Sequence, residues 1–387
     1  MEGVYCWWAA RLRTVCLTFQ EFLESRTLWN RAVHGSVDDN IFLTWEWLSA
    51  WWKHFGDKKR FLVIAVTDDT RIMAAAPLMT STYSRFGLKL TKLQFIGTPQ
   101  SDYQGLLLTR GRQELATAVI EYAHDAAPDW DLIELGGIPE TFETARILGQ
   151  TATAPWKLGQ HMQSQCPYIP LPSTFDNYFD TLSLHFRKNL KTRERSLARD
   201  YDIDFRVLEN FDAICGPMRV LFELHGKRRA MKDEVGIFSH PAVRNFHLDV
   251  AKSFAERGWL VVALLTSEGE PIAAQYAFRY ANRLYCYQAG FDPQYSKYGV
   301  GSLLEMYLIR HCIREGLREY DFGLGDEPYK MQWGASARMN LQFTVTRRKL
   351  VPLLARCLET SEALARTSWR ETTERFCFHR KRLQRIS

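Results

Sequence analysis

The sequence predicts an α/β protein in which one mixed-sheet unit occurs twice. The second half of the chain alternates strand-like and helix-like segments in the order β-α-α-β-β-β-α-β, and the first half shows the same order. Equivalent segments lie about 190–200 residues apart, which is the length of a domain rather than of a short repeat. The chain of 387 residues is also long for a single core.

The elements of the second half follow from periodicity and turn signals. Alternating or β-branched runs predict strands, and apolar residues at helical spacing predict helices. Pro241 suits the first turn of a helix. The predicted strands are Asp202–Leu208, Trp259–Thr266, Pro271–Tyr280, Leu284–Phe291 and Glu319–Gly323. The predicted helices are Phe211–Met231, Pro241–Arg257 and Ser302–Glu315.

The first half repeats this arrangement. The helix predicted at Thr44–Phe55 is rich in tryptophan, which core packing explains better than stacking on sugars. The predicted strands are Arg13–Phe19, Phe61–Asp68, Ile72–Thr80, Lys89–Gly97 and Trp130–Leu135. The predicted helices are Gln20–Val33, Thr44–Phe55 and Gln113–Ala127.

Changes in composition mark the expected domain boundaries. The segment Gly149–Pro172 is rich in proline, which predicts a linker. We expect an N-terminal domain at residues 1–148, a linker at 149–172, a C-terminal domain at 173–348 and a helical tail at 349–387.

The overall composition is that of a soluble globular protein, with 46% hydrophobic and 24% charged residues. No apolar run approaches the ~18–20 residues of a membrane span, and the basic residues at the N-terminus follow the apolar patch, unlike a signal peptide. The eight cysteines show neither a CxxC motif nor metal-ligand spacing. These features predict a cytoplasmic protein with reduced thiols and no metal.

The net charge of +6 is modest, but part of it is local. The predicted helix Leu184–Arg199 is strongly basic. A solvated helix face is the ordinary explanation of such a run, and an anionic partner is the alternative.

The most informative stretch is Leu284–Lys330. Here Gly299 and Gly301 stand just before the helix Ser302–Glu315. Glycine lets backbone N–H groups approach an anion closely, and the helix N-terminus favours negative charge. A strand, a glycine loop and a helix in this order predict a pyrophosphate cradle, although a glycine pair alone also fits an ordinary turn.

This element order resembles the GNAT acyltransferase fold, and two copies in tandem resemble its FemAB-like branch. The strings FLTWEWLSAWWKHFGD, SDYQGLLL, LHFRKNLKTRERSL and above all DFGLGDEPYKMQW resemble the GNAT-type acetyltransferases of the cellulose-biosynthesis CelD family. The resemblance covers about residues 13–347. One position departs from it, because Ser296 stands where the GNAT loop usually has Gln or Arg. Either the neighbouring Lys297 makes the anion contact, or CoA binding is weakened.

The resemblance implies acyl-CoA, in the simplest case acetyl-CoA, as co-substrate. It implies an oxyanion contact from a backbone N–H among Gln288–Gly290. The first copy has Thr98–Leu106 in place of the glycine loop, so we expect that copy to have lost cofactor binding. The cofactor-binding candidates are Gln288, Ala289, Gly290, Lys297, Gly299, Val300, Gly301 and Ser302.

Acyl transfer needs a base for the acceptor, a donor for the oxyanion and an acid for the leaving thiolate. Asp326 also fits a helix cap ahead of Pro328, and an isolated histidine such as His225 is more often structural. The catalytic candidates are Asp321, Asp326, Tyr329 and His225. The substrate-binding candidates are Asp102, Tyr103, Arg228 and Lys330.

We therefore predict an acyl-CoA-dependent acyltransferase acting on an amine or hydroxyl of a cell-envelope or exopolysaccharide-related acceptor. The FemAB resemblance leaves open an aminoacyl-tRNA-dependent transferase acting on a peptidoglycan precursor, against which the modest net charge argues mildly. A third hypothesis is a non-catalytic partner in exopolysaccharide synthesis, against which the glycine pair argues.

Overall fold

The computed structural model describes residues 12–68, 70–85, 88–150, 159–208 and 215–346. The strands are β1 Arg13–Leu17, β2 Lys59–Asp68, β3 Arg71–Arg85, β4 Leu88–Phe95, β5 Leu107–Leu108, β6 Leu132–Pro139, β7 Gly159–Pro170, β8 Ile203–Leu208, β9 Leu260–Ser267, β10 Glu270–Tyr280, β11 Arg283–Phe291, β12 Glu319–Asp321 and β13 Ser336–Thr346. The helices are α1 Phe19–Glu24, α2 Arg26–His34, α3 Trp45–Phe55, α4 Leu115–Ala126, α5 Glu143–Gln150, α6 Phe175–Thr181, α7 Leu184–Asp200, α8 Cys215–Ala230, α9 Pro241–Ala255, α10 Val300–Arg314 and α11 Pro328–Gln332.

All these strands join one mixed sheet. Its order is β1-β2-β3-β4-β6-β13-β7-β12-β11-β10-β9-β8, and the short β5 pairs with β3. Each half contains four antiparallel strands followed by one parallel pair, which is β4 with β6 in the first half and β11 with β12 in the second. The predicted α/β fold with a mixed sheet and two similar units is confirmed.

The two halves share their central strands. Strand β7, inside the segment expected as the linker, pairs with β12 of the second half, and β13 pairs with both β7 and β6. The last strand of the second half therefore extends the sheet of the first. The prolines of β7 lie at its C-terminal end, where Pro167 and Pro170 occupy ladder positions opposite Ala337 and Glu319. The expected tail at 349–387 lies outside the described residues.

The first predicted helix is divided in two. Ser25 ends α1 and precedes α2, with its N–H bonded to the carbonyl groups of Glu21 and Phe22. Thr18 and Glu21 form a reciprocal capping box at the start of α1. The end of α1 and the start of α2 at Ser25 thus interrupt a segment whose continuous apolar pattern predicts a single helix.

Helix α3 packs against α9 and so joins the two halves. The tryptophan side chains of Trp47 and Trp51 are 0% and 1% exposed, as core packing requires. The carboxylate of Glu46, also on α3, is fully buried and accepts hydrogen bonds from Arg26 and from Arg257 of the second half. The cleft between the halves is therefore held by buried contacts on one side.

None of the helices in the described residues has both the length and the apolar character needed to cross a bilayer.

Candidate functional site

Two neighbouring strands of the second half separate at the site. Strands β11 and β12 pair in parallel only as far as Tyr285 and Asp321, and then diverge. Just beyond this point Tyr287 forms a bulge, because Cys286 pairs with Ala277 whereas Gln288 pairs with Tyr276. The edge of β11 that faces away from β10 is then free of a strand partner in the described structure. Its N–H groups are available to a ligand.

A small cavity, called here the splay pocket, opens where these strands diverge. It measures about 140 Å³ and lies between the end of β11, the start of α10 and the short helix α11. The residues that line it are Arg228, Gln275, Ala289, Gly290, Phe291, Gly301, Ser302, Leu304, Glu305, Tyr329 and Trp333.

The start of α10 is shaped for an anion. Gly299 is its N-cap and has φ of +62°, a left-handed conformation that favours glycine. The space that a Cβ on Gly299 would fill is taken by the guanidinium of Arg193, whose Nη1 lies 2.6 Å from that position. Arg193 belongs to the basic helix α7. A cation and the unpaired N–H groups of a 15-residue helix therefore converge at one point.

Two charged groups border the splay pocket. Arg228 donates from Nη1 to the carbonyl oxygen of Ala289 at 3.4 Å, and its guanidinium lies over the ring of Phe291. Glu305 is 8% exposed and accepts a hydrogen bond from the hydroxyl of Tyr320 at 2.6 Å. Burial raises the pKa of Glu305 to about 7.

A larger cavity, called here the interdomain pocket, lies between the two halves and measures about 500 Å³. Successive residues of β11 line the two cavities, Gln288 the interdomain pocket and Ala289 the splay pocket. Its lining residues are Pro99, Gln100 and Asp102 from the first half, and Val235, Gly236, Ile237, Ser239, His240, Val243, His247, Tyr287, Gln288 and Leu324 from the second.

The loop of the first half that carries Asp102 is fixed by tryptophan side chains. The indole N–H of Trp47 donates to Ser101 Oγ at 2.8 Å, and that of Trp51 donates to Gln100 Oε1 at 2.7 Å. From the second half, the hydroxyl of Tyr287 donates to the carbonyl oxygen of Gln100 at 2.8 Å. The Trp-rich helix is therefore core that also positions the loop.

Asp102 faces both halves. Its carboxylate accepts the backbone N–H of Leu324, and a Cβ on Gly323 would lie 2.6 Å from Asp102 Oδ2. Burial, together with the negative charge of Asp321, raises the pKa of Asp102 to about 7. A carboxyl group poised near neutral pH in a cleft is a candidate for proton transfer.

Behind Asp102 lies a polar network that is structural. Asp321 is fully buried, and its Oδ2 accepts hydrogen bonds from the Tyr103 hydroxyl at 2.6 Å and from Arg338 Nη1 at 3.1 Å. Lys330 is 3% exposed and donates to three carbonyl groups, those of residues 323–325. The network holds the turn after β12 against Asp102 and joins the two halves.

Two histidines of the second half are buried near the cleft, and of these His247 lines the interdomain pocket whereas His225 lines neither pocket. His225 packs with its backbone against Gly290, where an added Cβ would lie 2.2 Å from the His225 nitrogen. Burial and the positive charges of Arg229 and Arg228 lower the pKa of His225 to about 4. His247 is 0% exposed, and burial lowers its pKa to about 3. Both imidazoles are neutral at physiological pH.

The structure divides the sequence candidates among several places. Ala289, Gly290, Gly301 and Ser302 line the splay pocket together with Arg228 and Tyr329, whereas Gln288 and Asp102 line the interdomain pocket. Gly299 is the N-cap of α10. The others lie outside both cavities: Val300 is buried, Lys297 is exposed over the ring of Tyr298, and Asp326 is exposed.

The cap that the sequence suggested for Asp326 is not formed. The N-cap of α11 is Glu327, and its side chain makes no capping hydrogen bond. Asp326 therefore has no structural part as a cap.

The first half has a corresponding divergence of strands. Strands β4 and β6 pair only at Lys92 with Leu132 and Leu93 with Ile133. The cavity beyond them, about 270 Å³, is lined largely by amide and hydroxyl side chains and by Asp102. No glycine-capped helix start like that of α10 occurs at this point among the described residues.

Sequence reasoning missed Glu305 of the splay pocket, His247 of the interdomain pocket and Arg193 beside the start of α10. Glu305 carries a visible signal, because a carboxylate follows Leu303 and Leu304 on the apolar face of α10. Arg193 is one of many basic residues on α7, and only the packing of α7 singles it out. His247 gives no signal, because an isolated histidine on an apolar helix face is ordinary.

Comparison with known proteins supports the same fold. Residues 185–331 match a family model described as an acetyltransferase (GNAT) domain. A crystal structure of FemX superimposes with a TM-score of 0.61 at 11% identity, over 88% of this chain and 99% of that chain. The structure of L-PGS from Bacillus licheniformis superimposes with a TM-score of 0.52 at 12% identity, over 89% of this chain and 94% of that chain. A protein of unknown function from Bacteroides thetaiotaomicron superimposes with a TM-score of 0.55 at 10% identity, over 87% of this chain and 100% of that chain.

At these identities the solved structures show the fold alone. No curated protein sequence matches the chain. The domain match runs from α7 into α11 and contains all of the residues that line the splay pocket except Trp333. Residues 185–331 thus match a GNAT acetyltransferase domain, and the protein is an acyltransferase.

Proposed function

We propose that the protein transfers an acyl group from acyl-CoA, in the simplest case acetyl-CoA, to an amine or hydroxyl held in the interdomain pocket. The observation that carries this proposal is the divergence of β11 and β12 beside the glycine-capped start of α10. It places the start of α10 next to the splay pocket, and on β11 the residue beside that pocket, Gln288, lines the interdomain pocket.

The donor would lie along β11. Its pyrophosphate would bind the N-terminus of α10 between Gly299, Gly301 and Arg193, and Arg193 takes the part that the sequence suggested for Lys297. The pantetheine arm would follow the unpaired edge of β11 through the splay pocket, where Ala289 and Gly290 offer backbone groups. The thioester then reaches the bulge at Tyr287, next to the acceptor.

In the reaction, the acceptor nitrogen or oxygen attacks the thioester carbonyl while Asp102 takes its proton. A backbone N–H among Gln288–Gly290 donates to the oxyanion of the tetrahedral intermediate. The C–S bond then breaks, and Tyr329 supplies a proton to the departing thiolate. Partial desolvation and the nearby carboxylates of Glu305 and Glu327 raise the pKa of Tyr329, which is 41% exposed, so it stays protonated until the sulfur leaves.

This assignment gives the role of base to Asp102 instead of Asp326, His225 or Asp321. Asp102 lines the pocket and faces the acceptor, whereas Asp321 is bonded to Tyr103 and Arg338.

The CelD-like strings suggest a cell-envelope or exopolysaccharide-related acceptor, with proteins of that synthesis as partners.

An aminoacyl-tRNA-dependent transferase is the second candidate. The basic helix α7 favours it, because Arg193 brings that helix to the donor end of the splay pocket. Both candidates predict an anionic donor. They differ in whether CoA or charged tRNA binds there, and a filter-binding assay with charged tRNA separates them. A non-catalytic partner would bind neither.

We expect acetyl-CoA or a longer acyl-CoA to raise the melting temperature. A ligand at ~100 times its dissociation constant adds about 2.7 kcal/mol to the free energy of unfolding, which a thermal-shift assay detects. Absence of a shift with every acyl-CoA tested, together with tight binding of charged tRNA, would transfer the proposal to the second candidate.

We expect Tyr329→Phe to lower kcat at least ~10-fold, which corresponds to about 1.4 kcal/mol of transition-state stabilisation. The dissociation constant of CoA should stay unchanged, because the ring remains and only the hydroxyl is lost. The rate of thiol release with a reactive acceptor measures kcat, and isothermal titration calorimetry measures the dissociation constant of CoA. Tyr295→Phe, outside both pockets, is the control. Unchanged kcat in Tyr329→Phe would assign the thiolate proton to another group.

A further inference from the structure

The interdomain pocket has the chemistry of a site for an uncharged apolar group. Its lining contains Pro99, Val235, Ile237, Val243 and Tyr287, and none of its described lining residues is a lysine or arginine. The splay pocket, in contrast, contains Arg228. An anionic acceptor group would thus find no lysine or arginine in the lining of the interdomain pocket and would face the carboxyl of Asp102.

Exposed apolar side chains are concentrated at this pocket. Val235 is 84% exposed, Leu324 47% and Ile237 40%, and all three line it. Single exposed apolar residues are normal on a protein surface, but several at the mouth of one cavity indicate a surface that an apolar ligand covers. These residues come from two separate segments, so a local sequence feature does not explain the grouping.

Among the polar side chains that line this pocket, which also include Gln100, Ser239, His240 and Gln288, His247 is the fully buried one. It is 0% exposed, and neither ring nitrogen has a hydrogen-bond partner in the described structure. The rings of Phe238, Tyr276 and Tyr287 surround it with centroids 5.0–5.6 Å away. A buried polar group without a partner is destabilising, and each such group in a native protein calls for a specific reason. The neutral imidazole can both donate and accept a hydrogen bond.

We propose that His247 selects the acceptor by a hydrogen bond to a neutral polar group, a hydroxyl or amide, carried on an apolar part of the acceptor that fills the interdomain pocket. The proposal rests on the proposed function in one respect, because it takes this pocket as the acceptor site. The nucleophilic amine or hydroxyl lies at the Asp102 side, and the apolar part extends toward Val235 and Ile237. An acceptor with an aryl or alkyl moiety therefore fits better than a bare sugar.

Three amines with one skeleton test this selection. Phenethylamine, tyramine and 4-(2-aminoethyl)benzoate carry hydrogen, hydroxyl and carboxylate at the same ring position. Their binding is measured by saturation-transfer NMR at millimolar concentration without any donor, so the result does not depend on CoA. We expect tyramine to bind about 2- to 10-fold more tightly than phenethylamine, as one buried neutral hydrogen bond allows. The benzoate should bind at least ~10-fold more weakly than tyramine.

The variant His247→Leu should remove the preference for tyramine and leave phenethylamine binding unchanged. His161→Leu, an exposed histidine on β7 outside both pockets, is the matched control and should keep the preference. His247→Asn should restore part of it, because an amide also donates and accepts.

Strongest binding of the benzoate, equal binding of all three amines or binding of none would overturn the proposal, and so would a preference that persists in His247→Leu. CoA binding, measured separately by thermal shift, reports on the proposed function. CoA binding with no amine discrimination would refute the His247 selection alone. Amine discrimination without CoA binding would refute the CoA donor while keeping the pocket chemistry.

Discussion

Asp102→Asn is expected to lower turnover at least ~100-fold, within the range of about 10²–10⁴ that a positioned general base contributes. Asparagine keeps the shape of the side chain and can still accept the N–H of Leu324, but it cannot take the acceptor proton. The dissociation constants of the donor and of the acceptor should therefore change little. Steady-state release of CoA, with an acceptor found by screening amines, measures the effect.

The dependence of kcat/KM on pH is a second, independent test of Asp102 as the base, because it predicts the direction in which activity changes with pH. A base works only when deprotonated, and Asp102 has a pKa of about 7 because it is buried next to Asp321. The wild-type kcat/KM should thus rise through pH 7 to a plateau and fall tenfold per unit well below it. The residual activity of Asp102→Asn should lack this dependence.

The matched control is Asp39→Asn. Asp39 is another carboxylate of the first half that is largely screened from solvent, accepts the Tyr280 hydroxyl at 2.7 Å and lies outside both pockets. It should cost stability without changing the pH profile. If Asp102→Asn keeps activity within tenfold of wild type and the pH profile is unaltered, the base is another residue. The pocket-lining His247 is then the next to test.

The fold was predictable because both halves carry period-two and helical patterns in the same order. What sequence patterns could not predict is which strands pair across the halves. Strand β7 contains prolines and polar residues and reads as a linker, and β13 follows the last recognised element of the unit. Strand β7 enters the sheet by pairing with β12, and β13 by pairing with β6. Both pairings join segments far apart in the chain, so local sequence periodicity cannot predict them.

The two pockets were predictable to different extents. The splay pocket is built mainly from one continuous segment, so Ala289, Gly290, Gly301 and Ser302 could be found from a strand, a loop and a helix. The interdomain pocket joins residues about 100–200 positions apart, as the pair of Asp102 and His247 shows. The raised pKa of Asp102 comes first from its burial against the other half and then from the negative charge of Asp321, and the hydrogen bond from the Leu324 N–H opposes this rise. Such a site exists only after the halves have packed.

Gly301→Val is expected to abolish CoA binding while the protein stays folded. Gly301 is the second residue of α10 and lines the splay pocket. A Cβ there would meet only the ring of Phe291, at 3.6 and 3.9 Å, which is ordinary contact. The two γ-methyl groups of valine would occupy the space next to the first-turn N–H groups, where the proposed pyrophosphate must approach.

The expected increase in the dissociation constant follows from the hydrogen bonds that are lost when valine keeps the pyrophosphate away from the N-terminus of α10. Each charge-assisted hydrogen bond from the helix end contributes about 1.5–3 kcal/mol, so the loss of two raises the dissociation constant at least ~100-fold. Isothermal titration with CoA measures this loss, and circular dichroism with thermal unfolding checks the fold. A branched residue in the first helical turn lowers stability by less than about 1 kcal/mol.

Gly216→Val is the matched control, because Gly216 is likewise the second residue of a helix, α8, and a Cβ there would meet nothing within 4 Å. It has the same helix position and the same change of side chain, but lies outside both pockets. It should bind CoA as the wild type does.

If Gly301→Val binds CoA with wild-type affinity, the glycine loop has only a structural part, and the donor must enter the splay pocket without contact to the start of α10. If both variants lose binding together with their fold, the circular dichroism identifies helix disruption as the cause. The smaller change Gly301→Ala then decides, because one methyl group leaves the helix intact and should still weaken CoA binding if the phosphate lies there.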